Sequence, residues 1–360
     1  VMLRTVTVIG LGLIGGSVLR AAARAGHDCR GFDHDPATRA AARAAGTSPT
    51  PDRHDVATAP ALPQDGGPAL RERHRPDRED RDAGAAGRDD RVPAPGGWRI
   101  DDSFAAAVDG ADLVVLAVPP AALPALLDRL AGHSGLVTDV ASVKQPALAA
   151  ARASGVRFVA GHPMAGRELP GFAASDATLF TDRPWVLCLD EPTALADWLA
   201  VAGFAHSLGA RVVPAVAAEH DDAVARVSHL PHLAAAALAA QADGPLPASL
   251  AAGSFADGTR VAASPPALWA DICAANAPAV RAALDRLIAD LTAARAALDA
   301  PATALETWFG TGHAVRAGWP PTAGRTVPVP PERDALLALG RAGGWLTGIS
   351  GTELTAVLPG

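Results

Sequence analysis

A two-part fold is predicted: an N-terminal α/β unit built on a doubly wound parallel sheet, followed by an all-helical unit. Three observations carry this. The run Thr5-Val6-Thr7-Val8-Ile9 is β-branched and fits a buried parallel strand, and it leads at once into a glycine-rich turn and an alanine-rich stretch. Short apolar runs then alternate with helical stretches as far as residue 213. Beyond Pro214 strand formers become scarce, and alanine and leucine recur at helical spacing.

In chain order, a helix is expected over 14–25, a strand over 28–33 ending at Asp33, and a helix over 36–45. From Thr47 to Gly97 prolines, glycines, arginines and aspartates dominate without either period, which reads as a flexible insertion. Alternation resumes with a helix at 102–109 and a strand at 112–118 that ends on Val118-Pro119-Pro120. A helix at 121–131 and strands at 135–140 and 156–160 follow, the last leading into Gly161-His162-Pro163-Met164. A strand at 184–189, a helix at 193–208 and a strand at 211–213 close the first unit, taken as residues 1–213. The helical unit, 214–312, rests on segments 216–242 and 266–298, whose apolar faces exceed what a short bundle needs. A homodimer through that unit is therefore expected. The tail, 313–360, reads as a small β-α-β element over 326–330, 332–341 and 344–357, with no role legible in it.

Composition narrows the function classes. With 360 residues the chain has room for two cores, and a formal net charge of −7 argues against a nucleic-acid binder. Three scattered cysteines, Cys29, Cys188 and Cys273, show neither metal-ligand spacing nor a disulfide framework, so no metal site is expected and a reducing compartment is. No apolar run is long enough to span a membrane, and the glycines inside the first apolar stretch fit a strand and turn better than a signal sequence. A cytoplasmic protein is expected.

The segment Gly10-Leu11-Gly12-Leu13-Ile14-Gly15 matches G-x-G-x-x-G between a strand and a helix. In a Rossmann-type unit the first glycine permits the tight turn and the second lets the backbone approach a pyrophosphate. The third lets helix and strand pack closely, and the free helix N–H groups face the phosphates. Asp33 stands at the end of the second strand, where a carboxylate can accept hydrogen bonds from both ribose hydroxyls and repels a 2′-phosphate. NAD is the expected cofactor, with His34 and Arg39 as nearby cations that bear on the discrimination from NADP. Val118 and Pro119, at the carboxyl edge of the sheet, fall where the nicotinamide side of such a ligand lies.

Three further segments bring polar residues to that edge: Thr138-Asp139-Val140-Ala141-Ser142-Val143-Lys144, Gly161-His162-Pro163-Met164-Ala165-Gly166-Arg167-Glu168, and Ser228-His229-Leu230-Pro231-His232. Together with Asp257-Gly-Thr-Arg260-Val-Ala, Pro266 and Trp269, these blocks resemble, in content and order, the prephenate/arogenate dehydrogenase family of tyrosine biosynthesis. The resemblance covers about residues 3–46 and 100–300, and the 47–97 stretch has no counterpart in it.

The resemblance implies an NAD-dependent oxidative decarboxylation of prephenate to 4-hydroxyphenylpyruvate, or of arogenate, which differs only in its side-chain amino group. Hydride leaves C4 of a cyclohexadienol while its hydroxyl loses a proton, a task for a neutral histidine. His162 takes that role, with Ser142 beside it orienting the hydroxyl or the imidazole, or instead capping the following helix. Lys144, the only lysine, acts electrostatically. Arg260 suits bidentate grip of the side-chain carboxylate, and Asp257, Glu168 and His232 resemble the polar network around it. Trp269 walls the pocket or simply fills core, and His229 is a weaker candidate than His232. The competing readings are another Rossmann-plus-helical dehydrogenase of the hydroxyacid type, which lacks the His-Pro-Met-Ala-Gly block, and a nucleotide-binding redox sensor without catalysis.

Overall fold

The computed structural model describes residues 3–46, 97–167, 169–351 and 353–359; the insertion expected over 47–97 lies, but for Gly97, outside the described residues. The described strands are β1 Thr5–Ile9, β2 Asp28–Phe32, β3 Trp98–Ile100, β4 Leu113–Leu116, β5 Leu136–Asp139, β6 Phe158–Val159, β7 Gly161–Pro163, β8 Pro184–Cys188, β9 Arg211–Ala215, β10 Ala323–Val329, β11 Trp345–Ser350 and β12 Glu353–Pro359. The first six form one parallel sheet in the order β3-β2-β1-β4-β5-β6. Order reverses between β1 and β4, so the ligand crevice of such a sheet opens at the carboxyl ends of these two strands. Both are almost wholly buried, as their unbroken β-branched and leucine runs require of strands covered on two faces.

Helices α1 Leu13–Arg24, α2 Pro36–Gly46, α3 Phe104–Val108, α4 Leu123–Arg129 and α5 Gln145–Ser154 make the crossovers. Strand β3 lies beside the end of α2, where Trp98 Nε1 donates to the Ala42 carbonyl at 2.9 Å.

After Val159 the chain changes sheets. Only Ala160 separates β6 from β7, and its carbonyl accepts the Cys188 amide at 2.8 Å. The second sheet runs β10-β12-β11-β9-β8-β7. Sequence periodicity carried one α/β unit on to residue 213; the structure instead divides those strands between two sheets. The tail supplies half of the second one, with Leu346 of β11 set antiparallel against Val212 of β9. Helices α6 Leu195–Ser207 and, in the tail, the short helix Arg333–Arg341 pack on this sheet. One continuous core joins the sheets, from Val6 and Leu113 through Trp185 and Trp198 to Leu336 and Leu346.

The helical unit begins with α7 Ala217–Val224 and α8 Leu230–Ala239. Between them residues Ala225–His229 form a π-helical turn. Pro231 lacks the amide that an α-helix would direct at the Val227 carbonyl, and widening the turn relieves the clash. The unit continues with α9 Pro245–Leu250, α10 Gly253–Thr259, α11 Pro266–Ala275, α12 Ala277–Ala297 and α13 Ala302–Ala317. Its own core is small, built on Ala225, Val280 and Ala283. Among the described residues no helix is long and apolar enough to cross a membrane.

Candidate active site

The glycine turn has the geometry that its sequence demands. Gly10 sits at φ +90°, and a Cβ there would lie 2.3 Å from the Ala117 carbonyl oxygen. A Cβ on Gly15 would lie 1.8 Å from the Gly10 carbonyl oxygen, so helix α1 could not approach β1. A Cβ on Gly12 would meet nothing within 4 Å: the backbone here is bare and open, as a pyrophosphate requires. Gly12 is also the N-cap of α1, with no side chain capping the free amides of the first turn at Leu13, Ile14 and Gly15. Val118 lies against Gly10, and Pro119 is exposed at the same edge.

Asp33 is buried at the end of β2, where its carboxylate accepts the amides of Leu11 at 2.7 Å and Asp35 at 2.9 Å. The His34 ring also lies 3.2 Å from Oδ1, and since a carboxylate has about four acceptor positions, Oδ2 keeps one for a ribose hydroxyl. Arg39 is already engaged with the carbonyls of Asp33 and His34, at 2.7 and 3.1 Å, and lies over the Phe32 ring. Its guanidinium is thus committed to protein rather than presented to a 2′-phosphate. These residues fit NAD.

The second centre lies where β5, β7 and α7 converge. Lys144 is fully buried; its ammonium pairs with Asp139 Oδ2 and donates to the Gly161 carbonyl at 2.6 Å. Asp139 also accepts the Gly161 amide at 3.1 Å and the Ala141 amide at 3.0 Å. The pair therefore fastens the loop after β5 to the start of β7. Removing one partner of such a buried pair typically costs about 3–5 kcal/mol, which makes Lys144 a structural anchor as well as a charge. Ser142 lies two residues earlier on this loop, partly buried. It does not cap α5, whose N-cap residue is Lys144 and whose first amides take a carboxylate from elsewhere.

That carboxylate is Asp221, which with His220 went unnoticed in the sequence. The His162 ring, on β7, is partly exposed, and its Nδ1 lies 2.9 Å from His220 Nε2. His220 Nδ1 lies 2.8 Å from Asp221 Oδ1. Burial pushes the Asp221 carboxyl up, but hydrogen bonds from His220 and from the Gln145 and Lys144 amides outweigh it and hold it below the usual range. Burial, first of all, lowers His220, and burial, with His220, Lys144 and His229 opposing a further positive charge, drives His162 well below an ordinary imidazole. Both rings are thus neutral near pH 7, and the tautomers follow. An ionised Asp221 can only accept, so His220 donates from Nδ1 and accepts at Nε2. His162 must then donate from Nδ1, which leaves a lone pair on its Nε2.

A third ring, His229, lies on the π-helical turn and is buried; burial lowers it to about 4. Asn276 donates its amide to the Asp221 backbone carbonyl at 2.8 Å and faces His229 Nδ1 at 3.3 Å. His232 donates from Nδ1 to the Ser228 carbonyl at 2.9 Å and stacks on Trp269 with ring centroids 3.3 Å apart. Trp269 also meets His229 edge-on, which joins the two histidines of the Ser-His-Leu-Pro-His block through one indole. Arg260 and Asp257 are exposed; Arg260 opens a short 3-10 turn packed on α8, the helix that carries His232. Glu168 lies outside the described residues. The structure therefore gathers His162, Lys144, His220, Asp221, His229, His232 and Trp269, with Ser142 on the adjoining loop.

The three depressed imidazoles of this site set a stability window. Each folded value lies below the unfolded value of about 6.5, so unfolding takes up protons at acid pH. Their contribution is complete above about pH 6.5 and is lost as pH falls toward the folded values, that of His229 being about 4. The thermal midpoint should fall steadily from pH 7 to pH 4.5. A midpoint constant over that interval would contradict neutral burial of these rings.

Comparison with known proteins accords with this geometry. Residues 81–214 match the family described as prephenate dehydrogenase, nucleotide-binding domain, and residues 216–308 match prephenate dehydrogenase, dimerization domain. The chain is 36% identical over 205 residues to the cyclohexadienyl dehydrogenase of Zymomonas mobilis, covering 54% of this chain and 70% of that protein. Matches to prephenate dehydrogenases of Bacillus subtilis and Lactococcus lactis cover 62% and 52% of those proteins. Among solved structures, the Aquifex aeolicus prephenate dehydrogenase in complex with hydroxyphenyl propionate and NAD+ superposes with a TM-score of 0.69 over 88% of this chain and 98% of that one, at 23% identity, a likeness of fold. On the matches of both its halves and its identity to the Zymomonas protein, this chain belongs to the prephenate dehydrogenase family.

Proposed function

We propose that the chain catalyses the NAD-dependent oxidative decarboxylation of prephenate to 4-hydroxyphenylpyruvate. The observation that carries this is the chain of contacts His162–His220–Asp221, from which a neutral imidazole with its lone pair on Nε2 follows, on the strand next after the dinucleotide sheet. When bound, the dinucleotide supplies a nicotinamide that accepts hydride from C4 of the ring. The residues of the chain do the rest. His162 Nε2 takes the proton of the C4 hydroxyl as that oxygen becomes a carbonyl. The bond to the ring carboxylate then breaks, carbon dioxide departs, and its electron pair aromatises the ring. The same imidazole returns the proton to the oxygen, which becomes the phenol. The substrate dianion has lost one hydride and one carbon dioxide to give a monoanion, so His162 ends each turnover neutral.

Ser142, on the loop held by Lys144, orients the hydroxyl in this reading, and His232 stacked on Trp269 walls the pocket. Arg260 grips the side-chain carboxylate, with Asp257 three residues before it in the chain. A charge-assisted hydrogen bond of this kind contributes about 1.5–3 kcal/mol. Arg260→Ala should therefore raise the Michaelis constant for prephenate about 10- to 100-fold with a much smaller change in kcat; an unchanged constant would remove the clamp from the reading. Exposed Leu238, Leu268, Ile288, Leu291, Leu298 and Phe309 on so small a helical core support a homodimer through that unit. A cytoplasmic location fits a free dinucleotide cofactor.

The deciding experiment follows NADH absorbance with NAD or NADP and with prephenate or arogenate. Reduction of NAD by prephenate is expected, and no reduction with either substrate would refute the proposal. The arogenate arm measures whether the pocket distinguishes a side-chain keto group from an amino group.

A further inference from the structure

Asp221 belongs to α7 of the helical unit, yet two of its three carboxylate bonds reach into the nucleotide-binding unit. Oδ1 accepts the Lys144 amide at 2.8 Å and Oδ2 accepts the Gln145 amide at 2.9 Å, so it caps α5 from outside that helix. A helix leaves its first amides without partners, and a carboxylate there also meets the positive end of the helix dipole. The third bond, from His220 Nδ1, fixes the His220 tautomer and through it that of His162. Lys144 closes the circuit: its amide binds Asp221, and its side chain holds Gly161, the residue before His162. Asn276, at the start of α12, pins the Asp221 backbone carbonyl. Two of the three bonds that orient this carboxylate, and the contact by which His220 reaches His162, therefore exist only while α7 is seated on α5.

We propose that Asp221 is a positioning residue that arms the base: seating of the helical unit on α5 and exposure of a proton-accepting Nε2 on His162 are one event. The inference rests on the reading of His162 as the base. In Asp221→Asn with the NH2 group at the Oδ1 position, the oxygen still serves the Gln145 amide, the Lys144 amide loses its acceptor, and His220 Nδ1 meets a donor. His220 must then carry its proton on Nε2, facing His162 Nδ1. His162 in turn places its own proton on Nε2, toward the substrate, where it can no longer accept one.

The test uses the full chain labelled with 15N-histidine. In the unmodified protein, ring correlations should show His162 Nε2 unprotonated, and in Asp221→Asn they should show it protonated. In the variant kcat should fall about 10²–10⁴-fold, the scale seen when a catalytic imidazole is held in the wrong tautomer, while the dissociation constant for NAD changes less than threefold. A residue that merely caps α5 would lower the thermal midpoint and leave the ring signals and the kcat of folded protein unchanged; that result overturns the proposal. If Asp221→Asn does not fold, His220→Gln and His220→Leu both keep the α5 cap. Glutamine can still accept from His162 Nδ1 and should retain at least tenfold more turnover than leucine, whereas equal turnover overturns the proposal. His162→Asn separates the two ideas: if it stays active, the base assignment fails, and if it is inactive while Asp221→Asn and both ring signals are unaffected, only the role of Asp221 fails.

Discussion

His162→Asn should lower kcat by about 10²–10⁴-fold, the range over which general acid–base groups contribute, with little change in the Michaelis constant for prephenate. The substitution is conservative where it touches the fold. His162 pairs with Val186 across β7 and β8, a backbone register that asparagine keeps, and the shorter amide can still donate toward His220 Nε2. What it lacks is a basic lone pair at the Nε2 position, and nothing else in the circuit supplies one: Lys144 is committed to Asp139 and Gly161, and His229 faces Asn276. Steady-state kinetics on folded enzyme will decide the matter. A variant that bound prephenate poorly but turned it over normally would make His162 a binding residue instead. The rate of the unmodified enzyme should also hold below pH 6.5, because burial keeps this imidazole unprotonated where an exposed one would already be charged.

Gly15→Ala should cost both cofactor binding and stability, from the addition of one methyl group. Its Cβ would stand 1.8 Å from the Gly10 carbonyl oxygen and 2.9 Å from the Ala117 Cβ, and neither neighbour can rotate away. Relief requires α1 to lift from β1, which moves the amides of Leu13 and Ile14 off the phosphate path. Overpacking alone typically costs about 1–3 kcal/mol, and a clash against backbone belongs at the top of that range. Calorimetric titration with NAD should show affinity down at least about tenfold, together with a lower thermal midpoint. Gly12→Ala is the useful contrast, since a Cβ there meets no protein atom. It should fold normally and lose affinity alone. Equal stability of Gly15→Ala and the unmodified chain would show that the helix has room that the geometry denies.

What could be read from the sequence was what local constraints dictate. Gly10, Gly12 and Gly15 announce themselves because turn, phosphate approach and helix packing each need a missing side chain at a fixed spacing, and Asp33 follows at the end of the next strand. His162 stood out through its block. His220 and Asp221 did not, because Glu219-His220-Asp221-Asp222 has the look of a solvated helix start. Their role depends on a contact with His162, fifty-eight positions earlier, that no periodicity encodes. The π-helical turn was equally hidden, since the apolar pattern of 216–242 is that of one unbroken helix; only the geometry at Pro231 shows why it breaks. Strand and helix in the tail were legible from their own residues, while their partner was not, because β9 lies on the far side of the whole helical unit in sequence.

The second sheet gives the enzyme an order of assembly. All six strands of the dinucleotide sheet are complete once residue 159 has been made, and a chain growing from its N-terminus can close that half early. The sheet that carries His162 cannot close then: until β11 and β12 arrive, β9 presents an unpaired edge. Open edges of this kind recruit strands from other chains. A chain cut short before residue 345 thus keeps its dinucleotide sheet but has a sticky flank and cannot hold His162 in register. The sheet that holds His162 closes only with β11 and β12, so these two strands act as a checkpoint on its order.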